Sequence, residues 1–390
     1  MMLHTKLAEV QAYLQQHKID GWLMFDFRGM NPFVKRILQL EGDVILSRRW
    51  WVWIPASGQP TVTTHAIEMG SFPDVGMPIS SYSSRTDLTA KLQETLTGAK
   101  RVAMEFSPLG NNPYVSKVDA GSIDLIRSLG VEVESSGDVL QLFLAWTPAQ
   151  LEHHKQANQV LTQTKDMALN LIKDRFSSGV SLSEFELQSL MCEFMESLGM
   201  TYDHGPIVGF GVHSNDPHYS PAATGSKLLE PGPILLDLWC KVPGENYYGD
   251  ITWMAHLGAP SNGFIEAFES VKESRDAGLN FLRAKLEAGQ DVRGFEVDQV
   301  VRQVLIDAGY ENALLHRTGH SLGTVTTHGD VAHFDSIETL DDRRILPNLG
   351  FTIEPGVYLS EFGVRSEINV YSTNNGLELT SAIQTTLDVL

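Results

Sequence analysis

The sequence predicts an α/β (α+β) chain in two parts, an N-terminal α/β domain over residues 1–147 and a C-terminal domain over 148–390. Three observations carry this: helix–strand alternation through the first 145 residues, a capped helix start at Thr147-Pro148, and an internal echo in the remainder. The length of 390 residues agrees, since one domain usually holds roughly 100–200.

In the first part, an amphipathic helix (Thr5 to His17) leads into the apolar strand "GWLMF", and "RWWVWIPA" reads as a second strand. A helix near Asp87–Leu96, the strand "RVAMEF", a helix near Ala120–Leu129 and the strand "VEVESS" follow. Trp50, Trp51 and Trp53 are read as core or interface residues, because large aromatics chiefly supply buried area. A Thr cap followed by Pro at the first turn then opens a long helix to about Lys173.

The remainder repeats itself. "FELQSLMCEFMESLGM" (Phe185–Met200) aligns without gaps to "FEVDQVVRQVLIDAGY" (Phe295–Tyr310), 110 positions later. Each copy follows a long helix (149–175 and 262–287), contains a glycine where a helix should stop, and precedes histidine-bearing loops and two apolar strands. Two amphipathic helices share apolar spacing by chance; the matching order of elements favours a duplication, two α/β halves related by a pseudo-twofold axis.

Composition narrows the class. With 29 basic and 48 acidic residues the formal charge is -19, spread along the chain, which counts against nucleic acid or an anionic membrane as partner. Two cysteines, Cys192 and Cys240, make neither a disulfide framework nor a thiolate zinc site. The N-terminus lacks an apolar signal core and no run is long enough to span a bilayer. A cytoplasmic enzyme is expected.

The chemistry lies in two hairpins. "ILLDLWCKVPGENYYGDITWMA" carries Asp237 and Asp250; "FTIEPGVYLSEFGVRSEINVY" carries Glu354 and Glu367; both pairs are 13 residues apart. If the turns centre between Pro243 and Gly244 and near Ser360-Glu361, each pair becomes cross-strand neighbours on one face. Like charges facing each other inside a sheet need a counter-ion, and Arg365 is the only basic residue within the second pair's strands. A divalent pair resolves the repulsion; carboxylates with one or two imidazoles suit Mn²⁺, with Zn²⁺ or Co²⁺ as alternatives. The imidazoles would come from "HRTGHSLG", where His316 and His320 are four apart; glycines and the lack of a following Glu argue against a zinc-protease helix.

"LLDLW…GDIT", "HRTGHSLG", "TIEPGVY" and "GVRSE", in this order over 237–367, resemble the M24 metallopeptidase family, which includes aminopeptidase P, prolidase, methionine aminopeptidase and creatinase. The resemblance implies the pita-bread fold for the C-terminal domain, and, more weakly, a creatinase/prolidase-like N-terminal domain. It implies Asp237, Asp250, His320, Glu354 and Glu367 as ligands of two metal ions. Asp250 and Glu367 would bridge both ions, Asp237 would complete one, and His320 and Glu354 the other. Glu354 would also move a proton to the leaving amine. His218 and His316 would hold the scissile carbonyl and the oxyanion; His328, with His333 as rival, would be a third substrate histidine, and Arg365 would orient carboxylates. His204, His213 and His333 receive no role of their own. Trp253 and Cys240 stand where the family commonly has Arg and Gly.

The expected activity is cleavage of Xaa-Pro bonds at a free N-terminus by a homodimer acting on proline-containing di- or oligopeptides. Prolidase is slightly favoured over aminopeptidase P. A metal-dependent lyase or hydrolase of a small molecule and a peptide-binding pseudoenzyme are the alternatives.

Overall fold

A computed structural model describes residues 2–40 and 46–390. The chain divides into two compact units, Met1–Leu144 and Ala145–Leu390.

The first unit contains, in order, α1 (Met2–Gln16), β1 (Gly21–Asp26), α2 (Pro32–Leu38), β2 (Trp50–Pro55), β3 (Thr61–His65), β4 (Ile79–Tyr82), α3 (Arg85–Thr95), β5 (Arg101–Met104), α4 (Ala120–Ser128), β6 (Glu132–Ser135) and α5 (Gly137–Gln141). The strands form one sheet in the order β4-β3-β2-β1-β5-β6. Alternation along central β1 sends Trp22 and Met24 into one apolar cluster with Val10 and Leu14 of α1. Leu23 and Phe25 enter another with Leu88 of α3 and Ile123 of α4. Trp50 and Trp51 split between the same two clusters, and partly buried Trp53 packs against the second, so the tryptophans are core residues.

The second unit begins before the helix cap. Trp146 donates its backbone N–H to Asn348 O at 2.7 Å, and its indole stacks on Tyr247 with centroids 4.2 Å apart. The division therefore falls three residues ahead of the expected one. Thr147 and Gln150 form a capping box at the start of α6 (Pro148–Ser178), and Gly179 ends the helix at φ 68°. Helix α7 (Glu184–Ser197), strands β7 (Ile207–Phe210), β8 (Gly232–Cys240) and β9 (Gly249–Leu257), and helices α8 (Asn262–Glu287) and α9 (Gly294–Asp307) follow. Then come β10 (Leu349–Ile353), β11 (Gly356–Tyr358), β12 (Gly363–Arg365), β13 (Ile368–Thr373), β14 (Gly376–Leu379) and β15 (Asp388–Val389).

The echo extends beyond the aligned helices. The bond from Val180 N to Arg175 O (3.0 Å), ahead of the aligned segment, recurs 110 positions later from Gln290 N to Lys285 O (2.9 Å). The bridge Ser183↔Leu228 before α7 has its counterpart in Arg293↔Arg344 before α9. Chance likeness of two amphipathic helices would not reproduce bonds made outside them.

Strands β8 and β9 are sandwiched. Leu236, Leu238, Cys240, Ile251 and Ala255 pack under α6 and α7. Leu235, Trp239 and Met254 pack with Phe264 and Phe268 of α8 on the other face. By alternation, Asp237 belongs to that second face. None of the helices among the described residues is long and apolar enough to cross a membrane.

Candidate metal centre

Asp237 and Asp250 share one face of the β8–β9 hairpin but are not directly opposite. Asp237 pairs with Thr252, and Asp250 with Trp239. The register expected from a tight Pro243-Gly244 turn is thus corrected by two residues. The cause is a long-range contact beside a local one: Lys241 leaves the hairpin to exchange two 2.9 Å backbone bonds with Thr201, and Asn246 Nδ2 donates to Pro243 O at 2.8 Å. Residues 241–248 form a broad connection instead. A slip of two keeps both carboxylates on one face, whereas a slip of one would have separated them.

The second hairpin has the expected register. Ile353↔Ile368 on one side and Gly356↔Arg365 on the other bracket Glu354 and Glu367, and Leu359 N donates to Phe362 O at 2.8 Å around Ser360-Glu361. At the two glutamates the ladder opens. Glu354 N turns to Thr318 O (2.7 Å) and Glu367 N to Thr252 O (3.4 Å). These detours bring the second hairpin against both the His320 segment and the first hairpin.

"HRTGHSLG" is extended, not helical, held by the bridges Gly319↔Phe334 and Ser321↔Phe351. Glycine is required at 319, since a Cβ there would lie 2.2 Å from Thr352 O. His320 Nδ1–H donates to Ser321 O at 2.9 Å. Its Nε2 lone pair therefore faces Glu354 Oε1 at 3.3 Å and Asp250 Oδ2 at 3.6 Å.

The five expected ligands line one cleft of about 390 Å³. One ligand atom each from Asp250, His320 and Glu367 lies within 4.8 Å of the others, and all three residues are buried. Burial, reinforced by Glu367, Asp237 and Glu354, pushes the Asp250 carboxyl well above the carboxylate range. Burial and the facing acids do the same to Glu367, and burial lifts Glu354 to about 7. Burial holds His320 well below its usual value, so its ring is neutral. Asp250 Oδ1 and Glu367 Oε1 are buried without any hydrogen-bond partner. Orphaned carboxylate oxygens beside a neutral imidazole fit a divalent cation, which would remove the desolvation and repulsion together.

Arg365 knits the surroundings. It donates to Asp237 Oδ2, to Thr252 Oγ1 (3.0 Å) and to the Tyr358 hydroxyl (3.0 Å). Thr252 donates in turn to Glu367 Oε2 at 2.8 Å. Sequence reading missed Thr252 and Tyr358. Thr252 was accessible to it, being two residues from Asp250 on the same strand face; Tyr358, beyond Pro355, was not.

His218 and His328 line the cleft, and the His328 ring lies 4.0 Å from that of His320. His333 is buried, with Nδ1 accepting from Ser321 N at 3.1 Å, so between the two rivals only His328 lines the cleft. His316 is not among the lining side chains. Its Nδ1–H donates to Arg317 O (2.6 Å), and Nε2 accepts from the Tyr358 hydroxyl (2.7 Å). The nitrogen that the family resemblance turns toward substrate is held here by Tyr358. Nor do the two departures from the family pattern line the cleft. Cys240 is buried under α6, and Trp253 donates Nε1–H to Asp388 at 2.6 Å beneath the Lys165 ammonium, 4.1 Å from its ring centre.

Comparison with known proteins gives the family and the fold. The profile of metallopeptidase family M24 matches residues 152–374, more than half the chain. The probable dipeptidase PepE of Mycobacterium tuberculosis is 23% identical over 331 residues, 83% of this chain and 80% of that protein. Among solved structures, dipeptidase PepE from Mycobacterium ulcerans superposes with a TM-score of 0.64 at 22% identity, covering 100% of this chain and 98% of that one. An Xaa-Pro dipeptidase from Bacillus anthracis gives 0.57 at 21% identity, with 99% of each covered. The fold is the pita-bread fold with an N-terminal domain. On the family match and the buried acid–imidazole cluster, the chain is a member of metallopeptidase family M24.

Proposed function

We propose that the chain hydrolyses the Xaa-Pro bond beside a free N-terminus and favours the dipeptide over longer peptides. The metal-dependent hydrolysis is carried by the buried set Asp250, His320 and Glu367, with two carboxylate oxygens left without partners in a cleft that Asp237 and Glu354 also line; the Xaa-Pro part rests on the family resemblance. Asp250 and Glu367 would bridge two divalent ions, Asp237 would complete one, and His320 and Glu354 the other. Manganese suits this donor set first, then zinc or cobalt. Such a pair, when bound, supplies an activated water and a Lewis acid for the carbonyl oxygen.

The chain's own residues do the rest. Glu354 accepts a proton and returns it to the proline nitrogen as that amine leaves. His218 and His328 hold the scissile carbonyl and the oxyanion that develops from it. Arg365 orients Asp237 and, through Thr252, Glu367; His316 acts from behind Tyr358. The family resemblance and the low cysteine content support a cytoplasmic homodimer. A lyase or a binding protein on the same fold draws no support from Trp253 and Cys240, which point away from the cleft.

The test strips the protein of metal, reloads it with Mn²⁺ and offers Ala-Pro and Ala-Pro-Pro. Cleavage of either supports the reading, and their ratio separates dipeptidase from aminopeptidase. Cleavage of neither, with metal bound, sinks it. Glu354→Ala should fold but be inactive. His320→Ala should lose metal, whereas His316→Ala should lose turnover with metal retained.

A further inference from the structure

One wall of the cleft carries an acid that neither the metal centre nor the hydrolysis uses. Asp203 lines the cleft with His204, Ile207 and Trp239. The backbone bridge between Thr201 and Lys241 lays the 201–203 segment alongside the end of β8. Asp203 Oδ1 accepts from Trp239 Nε1 at 2.8 Å and from His204 N at 3.0 Å, and lies 3.1 Å from His204 Nδ1. Every one of these contacts uses Oδ1. Only 22% of the Asp203 side chain is exposed, while His204 sits on the rim at 72%. The His204 ring lies 4.7 Å from that of Trp239. Among the described residues no lysine or arginine pairs with Asp203. The adjacent Lys241 ammonium is bonded to Gly244 O at 3.0 Å and to Thr324 O.

The position of this acid relative to the metal centre gives it a meaning. Trp239 follows Asp237 on the same strand face, roughly 6.5–7 Å further along β8, and pairs across the hairpin with Asp250. Ile207 pairs with Asp237 from β7. The cleft wall therefore runs from ligand carboxylates over an indole and an isoleucine to the partly exposed carboxylate of Asp203. We propose that Asp203, His204 and Trp239 form a subsite for a basic side chain, lysine or arginine, on the residue before the scissile bond. An aliphatic stem lies along Trp239 and Ile207, and the cationic head meets Asp203 with the indole face beside it. A free α-amino group is one bond from its Cα and stays beside the ligand carboxylates; only a long side chain reaches past Trp239.

The assignment to the residue before the bond rests on the Xaa-Pro reading. There Glu354, from the other half of the fold, serves the leaving proline, which leaves the β8 side to the N-terminal residue. The test compares Lys-Pro, Ala-Pro and Glu-Pro as Mn²⁺-enzyme substrates. It also compares, by calorimetry, binding of their uncleavable reduced-amide analogues. Lys-Pro should exceed Ala-Pro by about tenfold in kcat/KM and its analogue should bind correspondingly tighter, with Glu-Pro poorest. Asp203→Asn, which keeps an oxygen for the indole N–H, should bring the Lys-to-Ala ratio near unity, and Asp203→Lys should favour Glu-Pro. Equal binding of the Lys and Ala analogues, or a ratio unchanged in Asp203→Asn, overturns the subsite. Preferential binding of the Lys analogue without turnover of any dipeptide sinks the peptidase reading and leaves the subsite standing.

Discussion

Asp26 and Glu105 of the first unit and the cleft acids of the second are buried carboxylates treated in opposite ways. In the first unit, Asp26 accepts from Asn31 N (2.9 Å), Gly29 N (3.1 Å) and Trp50 Nε1 (3.1 Å). Glu105 accepts from Trp22 Nε1 (2.6 Å), Ser136 Oγ (3.2 Å) and Asn31 Nδ2 (2.7 Å), so both of its oxygens are satisfied. In the second unit, five acids line one cleft and two of their buried oxygens have no donor. A buried acid surrounded by donors is part of the architecture. One facing other acids, with an oxygen left over, is waiting for a cation.

The sharpest way to break that comparison is Asp250→Asn. With metal, kcat/KM should fall on the order of 10²–10³-fold and metal content should drop. Without metal, the same change should stabilise the protein by roughly 1–3 kcal/mol, because it replaces an acid buried among acids with a neutral amide. A metal-free Asp250→Asn protein that melts below metal-free wild type would refute the repulsion argument.

The next effect is in pH. Glu354 and Glu105 both sit at about 7, held up first by burial. A raised carboxyl binds its proton more tightly in the folded state. Its stabilisation is therefore complete below the unfolded value near 4.5 and is lost as pH rises toward 7. Each acid contributes on the order of 3 kcal/mol. Denaturant melts of the metal-free protein should weaken across this window. Added Mn²⁺ should remove the part that belongs to the second unit, and Glu105→Gln should remove the part that belongs to the first. A slope insensitive to both would contradict the contrast between the units.

Smaller changes refine it. Tyr358→Phe takes the hydroxyl from both His316 and Arg365, and should cost about 1–3 kcal/mol of stability with metal retained. Trp253→Arg, on the helix-covered face, should leave the ratio of Ala-Pro to Ala-Pro-Pro cleavage unchanged. A shifted ratio would mean that the face under α6 reaches the chemistry.

Much of this molecule is local and was legible in the sequence. The capped start at Thr147, strands β1, β2, β5 and β6 of the first unit (though not β3 and β4) and the 110-residue echo depend on turn chemistry, side-chain periodicity and helix ends, all short-range signals. Four of the cleft acids and His320 were legible as well, the acids because equal spacing in two hairpins is itself a pattern. What failed was the register of the first hairpin. Lys241 bonds to Thr201, a residue far back in the chain, and no signal within the 241–248 loop announces it.

By itself, the sequence determined the fold class, the duplication and which carboxylates share a face, because alternation in a strand survives a slip of two residues. Only the tertiary structure decided which histidines meet the cleft. His328 enters it, His333 is buried beneath Ser321, and His316 gives its free nitrogen to Tyr358. Tertiary packing also brought Asp203 to the indole of Trp239 and turned Trp253 and Cys240 away. Each of these turns on where a loop from one half comes to rest against a strand, a long-range contact that residue type and spacing do not encode.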